Sequence, residues 1–195
     1  MEKFWTIPNI LSITRIILII PIVNQLRMNT PQSNLISFFL ISIAYLTDFL
    51  DGFFARRFKM NSSIGRILDP VGDKLLAITV SAVLYINKKL PFYFFILILL
   101  RDLTISLGAM YAINVRGKIL LPIFAGKLTT AVLGVVLSIY PLRYADVFKQ
   151  DGFIINALEI LRYYGTFISS FLLFTSGIMY VVYYFEIFLE KKKTN

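Results

Sequence analysis

The chain contains no cysteine and no histidine, and only 16% of its 195 residues are charged. Without cysteine there is no disulfide, no thiolate nucleophile and no cysteine–zinc site. Without histidine there is no imidazole general base, no imidazole metal ligand and no Ser–His pair. A soluble domain carries about 25% charged and about 45–50% apolar residues. Here the apolar share is 57% and the mean hydropathy is +0.74, values that exclude a water-soluble globule. The 18 Phe and 11 Tyr likewise exclude a disordered or fibrous chain. Carboxylates, Lys, Arg, hydroxyls and hard cations held by oxygen are the chemistry that remains. The formal net charge of +9 favours anionic partners, which in so apolar a chain are phospholipid headgroups and phosphates rather than nucleic acid.

What is present is long apolar runs. A helical span needs about 20 mostly apolar residues, and six candidates lie near 8–26, 34–56, 68–87, 91–114, 122–142 and 161–187. The expected fold class is all-α: one polytopic membrane domain over residues 1–195 with six transmembrane helices. No Gly/Ser- or Pro-rich linker divides it and no internal repeat is evident. The first run is kept as a true span because no small-residue cleavage pattern follows Pro21. Trp5 and the Tyr180, Tyr183 and Tyr184 cluster are expected at the interface, and the remaining Phe and Tyr facing lipid or in the interfacial belt.

Basic loops set the orientation. With the N-terminus inside, interior segments carry Arg56, Arg57, Lys59 and Arg66, then Arg116 and Lys118, then Lys191 to Lys193. Exterior ones carry Arg27, Lys88, Lys89 and the mixed stretch Arg143 to Glu159. The excess inside predicts N-in, C-in.

Of the 11 carboxylates, four fall between Asp48 and Asp73. Asp48 and Asp51 end an apolar span, where a carboxylate at the membrane centre would cost roughly 2.5–3.5 kcal/mol, so a functional site is the default reading. Asp48, Asp51, Gly52, Ala55 and Arg56 lie at i, i+3, i+4, i+7 and i+8, one helical face. Gly65, Asp69 and Asp73 lie at i, i+4 and i+8 on the next helix, beyond the polar turn Phe58 to Ser63. Two facing stripes of carboxylates cannot all stay ionised unaided in a low dielectric. Divalent cations resolve the repulsion, and oxygen-only ligation selects Mg²⁺, Mn²⁺ or Ca²⁺. Gly52, Ala55 and Gly65 leave room for a ligand on that face, and the Arg56 guanidinium suits phosphate. Pairing of the acids with Arg56, Arg57, Arg66 and Lys74 as solvated helix ends balances the charge but leaves the small residues unexplained.

Asp48-x2-Asp51-Gly52-x2-Ala55-Arg56-x8-Gly65-x3-Asp69-x3-Asp73 resembles, position for position, the signature of the CDP-alcohol phosphatidyltransferases. The resemblance implies six spans and transfer of a phosphoryl-alcohol group from a CDP-linked donor to an acceptor hydroxyl, with release of CMP. By that resemblance Asp48, Asp51 and Asp69 ligate a metal that grips the diphosphate, and Asp73 completes a site for two Mg²⁺ or Mn²⁺ ions and acts as general base. Gly52, Arg56 and Ser62 then contact the nucleotide and its phosphates. The site is expected between the second and third helices, on the cytoplasmic side of a bacterial plasma membrane, in a homodimer.

The opening Ile7-Pro8-Asn9-Ile10-Leu11-Ser12-Ile13-Thr14-Arg15 resembles two branches of the family, the phosphatidylglycerophosphate synthases and the cardiolipin synthases of this fold. The expected donor is CDP-diacylglycerol and the expected acceptor is glycerol 3-phosphate; phosphatidylglycerol, serine and inositol phosphate are the alternatives. Arg101 and Lys127 fall inside apolar spans and are expected as buried cations needing anions. Arg101 pairs either with the adjacent Asp102 or with the acceptor phosphate; Lys127 either binds that phosphate or snorkels to the surface. The first branch usually has Arg-Glu at Arg101-Asp102 and a second lysine in Gly126-Lys127-Leu128-Thr129-Thr130, and both are absent here. A carboxylate-based ion transporter is the reading from another class, and the end-of-span position of the acids argues against it.

Overall fold

The computed structural model describes residues 7–58, 65–116, 123–145, 147 and 151–193, and side chains over 10–47, 72, 74–112, 123–145, 147 and 151–186. All regular structure among them is helical: α1 (Ile7–Met28), α2 (Pro31–Phe58), α3 (Gly65–Ile86), α4 (Phe92–Arg116), α5 (Phe124–Arg143) and α6 (Gly152–Lys193). Among the described residues four stretches, Ile10–Met28, Phe92–Ala112, Phe124–Arg143 and Gly152–Glu186, are long and apolar enough to cross a membrane.

Local chemistry explains the helix boundaries. α1 ends at Met28, after which Asn29 takes φ 51°, a left-handed conformation that asparagine tolerates better than most residues. Thr30 and Ser33 then cap α2 reciprocally: the Thr30 amide donates to Ser33 Oγ at 2.8 Å and the Ser33 amide donates to Thr30 Oγ1 at 3.2 Å. Pro31 occupies the first helical position, where its missing N–H costs nothing. The Asp151 carboxylate accepts from the Ile154 amide at 3.4 Å and starts α6. The last helix therefore begins at Gly152 rather than near 161, and much of the stretch expected as an exterior loop is helix. Ion pairing permits this, because Glu159 on α6 is held by Arg143 of α5 at 2.9 Å and by Arg162 one turn on.

α1 packs against α2 and α3, α2 against α5, α5 against α6, α6 against α4 and α4 against α3. Ile22, Ile41, Leu76, Leu84, Phe94, Ile98, Leu133, Leu137 and Leu173 fill the interior, one or two from each helix. Hydrogen bonds fix the helix directions. Asn87, just after α3, donates to the Leu26 carbonyl near the end of α1 at 2.7 Å. Asn34 at the start of α2 donates to the Tyr144 carbonyl after α5 at 3.2 Å and accepts from Lys89 Nζ, before α4, at 2.8 Å. The end of α1, the start of α2, the end of α3, the start of α4 and the end of α5 thus share one side. The acid-bearing end of α2 and start of α3 lie on the other, with the start of α5. Over the described residues α1 lies against both α2 and α3, and those two make no extended contact with each other.

Glycines let aromatic side chains approach the helix backbones closely. A Cβ at Gly134 of α5 would lie 2.5 Å from the Tyr45 ring of α2. One at Gly126 would lie 2.6 Å from the Tyr180 hydroxyl of α6, and one at Gly108 of α4 would overlap the Tyr184 ring. Tyr180 is only 7% exposed, and Tyr140 is fully buried with its hydroxyl 2.8 Å from Thr166 Oγ1. Tyr140 and Tyr180 are core residues joining helices, a correction to the expectation that the tyrosines face lipid or the interfacial belt, while Tyr45 and Tyr184 are half-buried between helices.

Candidate functional site

Asp48, Asp51, Gly52 and Arg56 fall in the last turns of α2, and Asp69 and Asp73 in the first turns of α3. Their side chains, and Ser62 entirely, lie outside the described residues. The backbone therefore brings the carboxylate-bearing helix ends to one side of the bundle.

The described surroundings of that end are polar and well connected. At Gly72, immediately before Asp73, α1 comes close: a Cβ there would meet Ile16 at 3.5 Å and the Ser12 carbonyl at 3.9 Å. Arg15, one turn along α1 from Ser12, is completely buried. Lys74 next to Asp73 donates to Ser106 Oγ of α4 at 2.8 Å, and Ser106 Oγ donates to the Asp102 carbonyl at 2.7 Å. α3 is thus tied to α4 within a residue of the carboxylate expected to act as base.

Arg101 and Asp102 form the most buried ion pair among the described residues, 9% and 3% exposed, with Nη1 2.7 Å from Oδ1. Arg101 Nη2 also donates to the Gly126 carbonyl in the first turn of α5 at 3.1 Å, while its Nε is buried with no hydrogen-bond partner. Of the two sequence readings of Arg101, the structure displays pairing with Asp102. Lys127, the next residue along α5, is exposed rather than buried, so its expected burial is corrected. Its aliphatic stem leaves the helix at the end of the bundle that α5 shares with the acid-bearing turns. The hydroxyls beside it are satisfied within α5: Thr129 Oγ1 donates to the Ala125 carbonyl at 2.7 Å and Thr130 Oγ1 to the Gly126 carbonyl at 3.0 Å. Ile123 provides no side-chain cap for α5, and its amide instead donates to the Tyr180 hydroxyl at 3.3 Å.

Two polar residues of this region are invisible to spacing arguments. Lys74 reads as a helix-end charge until its contact with Ser106 is seen. Arg15 reads only as the last letter of an opening motif, although a cation eight residues into an apolar span is itself a signal of function.

The family model for CDP-alcohol phosphatidyltransferase matches residues 5–175. The chain is 32% identical over 187 residues to the Aquifex aeolicus protein named CDP-diacylglycerol–glycerol-3-phosphate 3-phosphatidyltransferase, covering 95% of this chain and 99% of that protein. A Rickettsia bellii protein of the same name is 35% identical over 100 residues, covering 51% of this chain and 55% of that one. A Streptomyces coelicolor protein named cardiolipin synthase (CMP-forming) is 32% identical over 104 residues, 52% of this chain and 48% of that protein.

Proposed function

The chain belongs to the CDP-alcohol phosphatidyltransferase family, and from that premise we propose that it moves the phosphatidyl group of CDP-diacylglycerol onto a hydroxyl of glycerol 3-phosphate. The products are phosphatidylglycerophosphate and CMP. The observation that carries this acceptor is the end-to-end similarity to the Aquifex aeolicus protein, whose name specifies glycerol 3-phosphate. The exposed Lys127 in the first turn of α5 supports it, since a cation at a helix N-terminus favours phosphate.

In this reading the acceptor hydroxyl oxygen bonds to the phosphorus of the phosphatidyl group while that phosphorus releases the CMP oxygen. Asp73, on the carboxylate stripe of a chain without histidine, takes the hydroxyl proton. Gly52, Arg56 and Ser62 hold the nucleotide and its phosphates, and Lys127 orients the phosphate of the acceptor. Arg101, whose pairing with Asp102 leaves only Nε unengaged, holds the backbone beside Lys127 rather than the acceptor itself. Four carboxylates without nitrogen or sulfur donors fit hard divalent cations. Mg²⁺ or Mn²⁺ at Asp48, Asp51, Asp69 and Asp73, two ions as the family resemblance implies, would neutralise the diphosphate and its developing charge.

We place α1 to α6 as six transmembrane helices, N-in and C-in, in a bacterial plasma membrane with the site facing the cytoplasm. The alternating helix directions and the basic residues at the acid-bearing end support that placement. The homodimer is likewise part of this proposal and rests only on the family resemblance. The second reading, a cardiolipin synthase with phosphatidylglycerol as acceptor, is favoured by the Arg101-Asp102 pair and the Streptomyces coelicolor similarity.

Purified protein in mixed micelles, supplied with CDP-diacylglycerol and each of glycerol 3-phosphate, phosphatidylglycerol, serine or inositol phosphate, decides the matter. Phosphatidylglycerophosphate and stoichiometric CMP are expected with glycerol 3-phosphate. A product formed only from phosphatidylglycerol would replace this reading with the second. Asp73→Asn should slow CMP release by about 10²–10⁴-fold, and a wild-type rate would remove Asp73 as the base.

A further inference from the structure

Two tyrosines one turn apart on α6 reach the same corner of the bundle. Tyr184 donates to the Ile105 carbonyl of α4 at 3.1 Å and lies in the notch left by Gly108. Tyr180 lies over Gly126 of α5 and accepts from the Ile123 amide at 3.3 Å, and the two rings stack with centroids 6.0 Å apart. Arg101 of α4 grips the Gly126 carbonyl from the α4 side. The first turn of α5 is therefore held between α4 and α6 by side chains, with no cap of its own. Lys127 is the next residue, and its direction is set by that turn.

We propose that Tyr180, backed by Tyr184, is a positioning residue for the acceptor: it seats the first turn of α5 and so aims Lys127 at the acceptor phosphate. This rests on the reading of Lys127 as the acceptor's phosphate ligand. Tyr180 touches no substrate in this arrangement, so its removal should weaken acceptor capture without altering the grip on the nucleotide, which belongs to α2 and α3. Only glycine at 126 admits the hydroxyl at that distance, which explains why a helix start there carries glycine rather than a better helix former.

The test compares wild type, Tyr180→Phe, Lys127→Ala and the double variant, with KM for glycerol 3-phosphate and for CDP-diacylglycerol and the thermal midpoint measured for each. Tyr180→Phe keeps the ring and loses the one hydroxyl, so a rise in acceptor KM of about threefold to tenfold is expected from one lost hydrogen bond. The donor KM should stay within twofold, and the double variant should match Lys127→Ala alone. Gly126→Ala, which pushes the hydroxyl away, should reproduce the acceptor-selective rise if Tyr180→Phe proves unstable. Equal rises in both KM values, or additive effects in the double variant, would reduce Tyr180 to a structural residue and overturn the proposal. An unchanged acceptor KM in Tyr180→Phe beside a raised one in Lys127→Ala would overturn it while leaving the acceptor reading intact. An unchanged acceptor KM in Lys127→Ala would remove the acceptor reading and the positioning role together.

Discussion

Removing the carboxylate at position 102 should destabilise the protein more than almost any other single polar truncation. Arg101 and Asp102 are 9% and 3% exposed, and their charged atoms meet at 2.7 Å. At an effective dielectric of 20 that separation corresponds to about 6 kcal/mol of attraction, most of it offsetting the desolvation of both ions. Asp102→Ala leaves the guanidinium buried with only the Gly126 carbonyl as partner. The expected cost is about 3–5 kcal/mol, the range for breaking a buried pair by removing one partner. Asp102→Asn keeps an acceptor for Nη1 and loses the charge, and should cost roughly half as much, since a charge-assisted hydrogen bond is about twice as strong as a neutral one. Replacing both residues, Arg101→Met with Asp102→Leu, removes the unpaired charge and should fall well short of the sum of the single changes. The assay is equilibrium unfolding in mixed micelles, read as a double-mutant cycle. If Asp102→Ala cost less than about 1 kcal/mol, or if the double variant equalled the sum, the two charges would not be coupled in the folded protein.

Three further outcomes are expected. Burial pulls the Lys89 ammonium from 10.5 down to about 8, so between those values the unfolded chain holds more protons and stability must rise with pH. Wild type should gain stability from pH 8 to 10.5 relative to Lys89→Met, and parallel curves would show that Lys89 titrates normally. Gly134→Ala places a Cβ 2.5 Å from the Tyr45 ring and should cost about 1–3 kcal/mol by overpacking; combining it with Tyr45→Leu should recover part of that loss in the same unfolding assay. EDTA should abolish CMP release, with recovery on adding Mg²⁺ or Mn²⁺, and full activity in chelator would exclude the carboxylates at 48, 51, 69 and 73 as a metal site.

The candidate site could be proposed from sequence because its pattern is linear. Asp48, Asp51, Asp69 and Asp73 sit on two consecutive helices, α2 and α3, at helical spacings, so the pattern alone places them on faces. Arg101 shows where linear reading stops. Its neighbour Asp102 and a distant acceptor were equally compatible with the spacing, and only the burial of both side chains displays the pair. Lys127 was expected inside a span and hence buried, but the start of α5 lies close enough to the bundle end that the side chain is exposed. Tyr140 and Tyr180 were misplaced for a different reason. In a membrane, a ring facing lipid and a ring facing another helix lose similar contact with water, so hydropathy does not separate them.

By itself the sequence determined an all-helical chain of membrane composition, the orientation bias of its basic loops, its family and the carboxylate stripe. Those follow from transfer free energies and helical periodicity, which act residue by residue along the chain. Only the tertiary structure decided that α6 starts at Gly152, that Lys74 ties α3 to Ser106, and that Tyr180 and Arg101 grip the first turn of α5 from opposite neighbours. Each of these depends on which helix lies beside which, through single hydrogen bonds between residues as many as 57 positions apart.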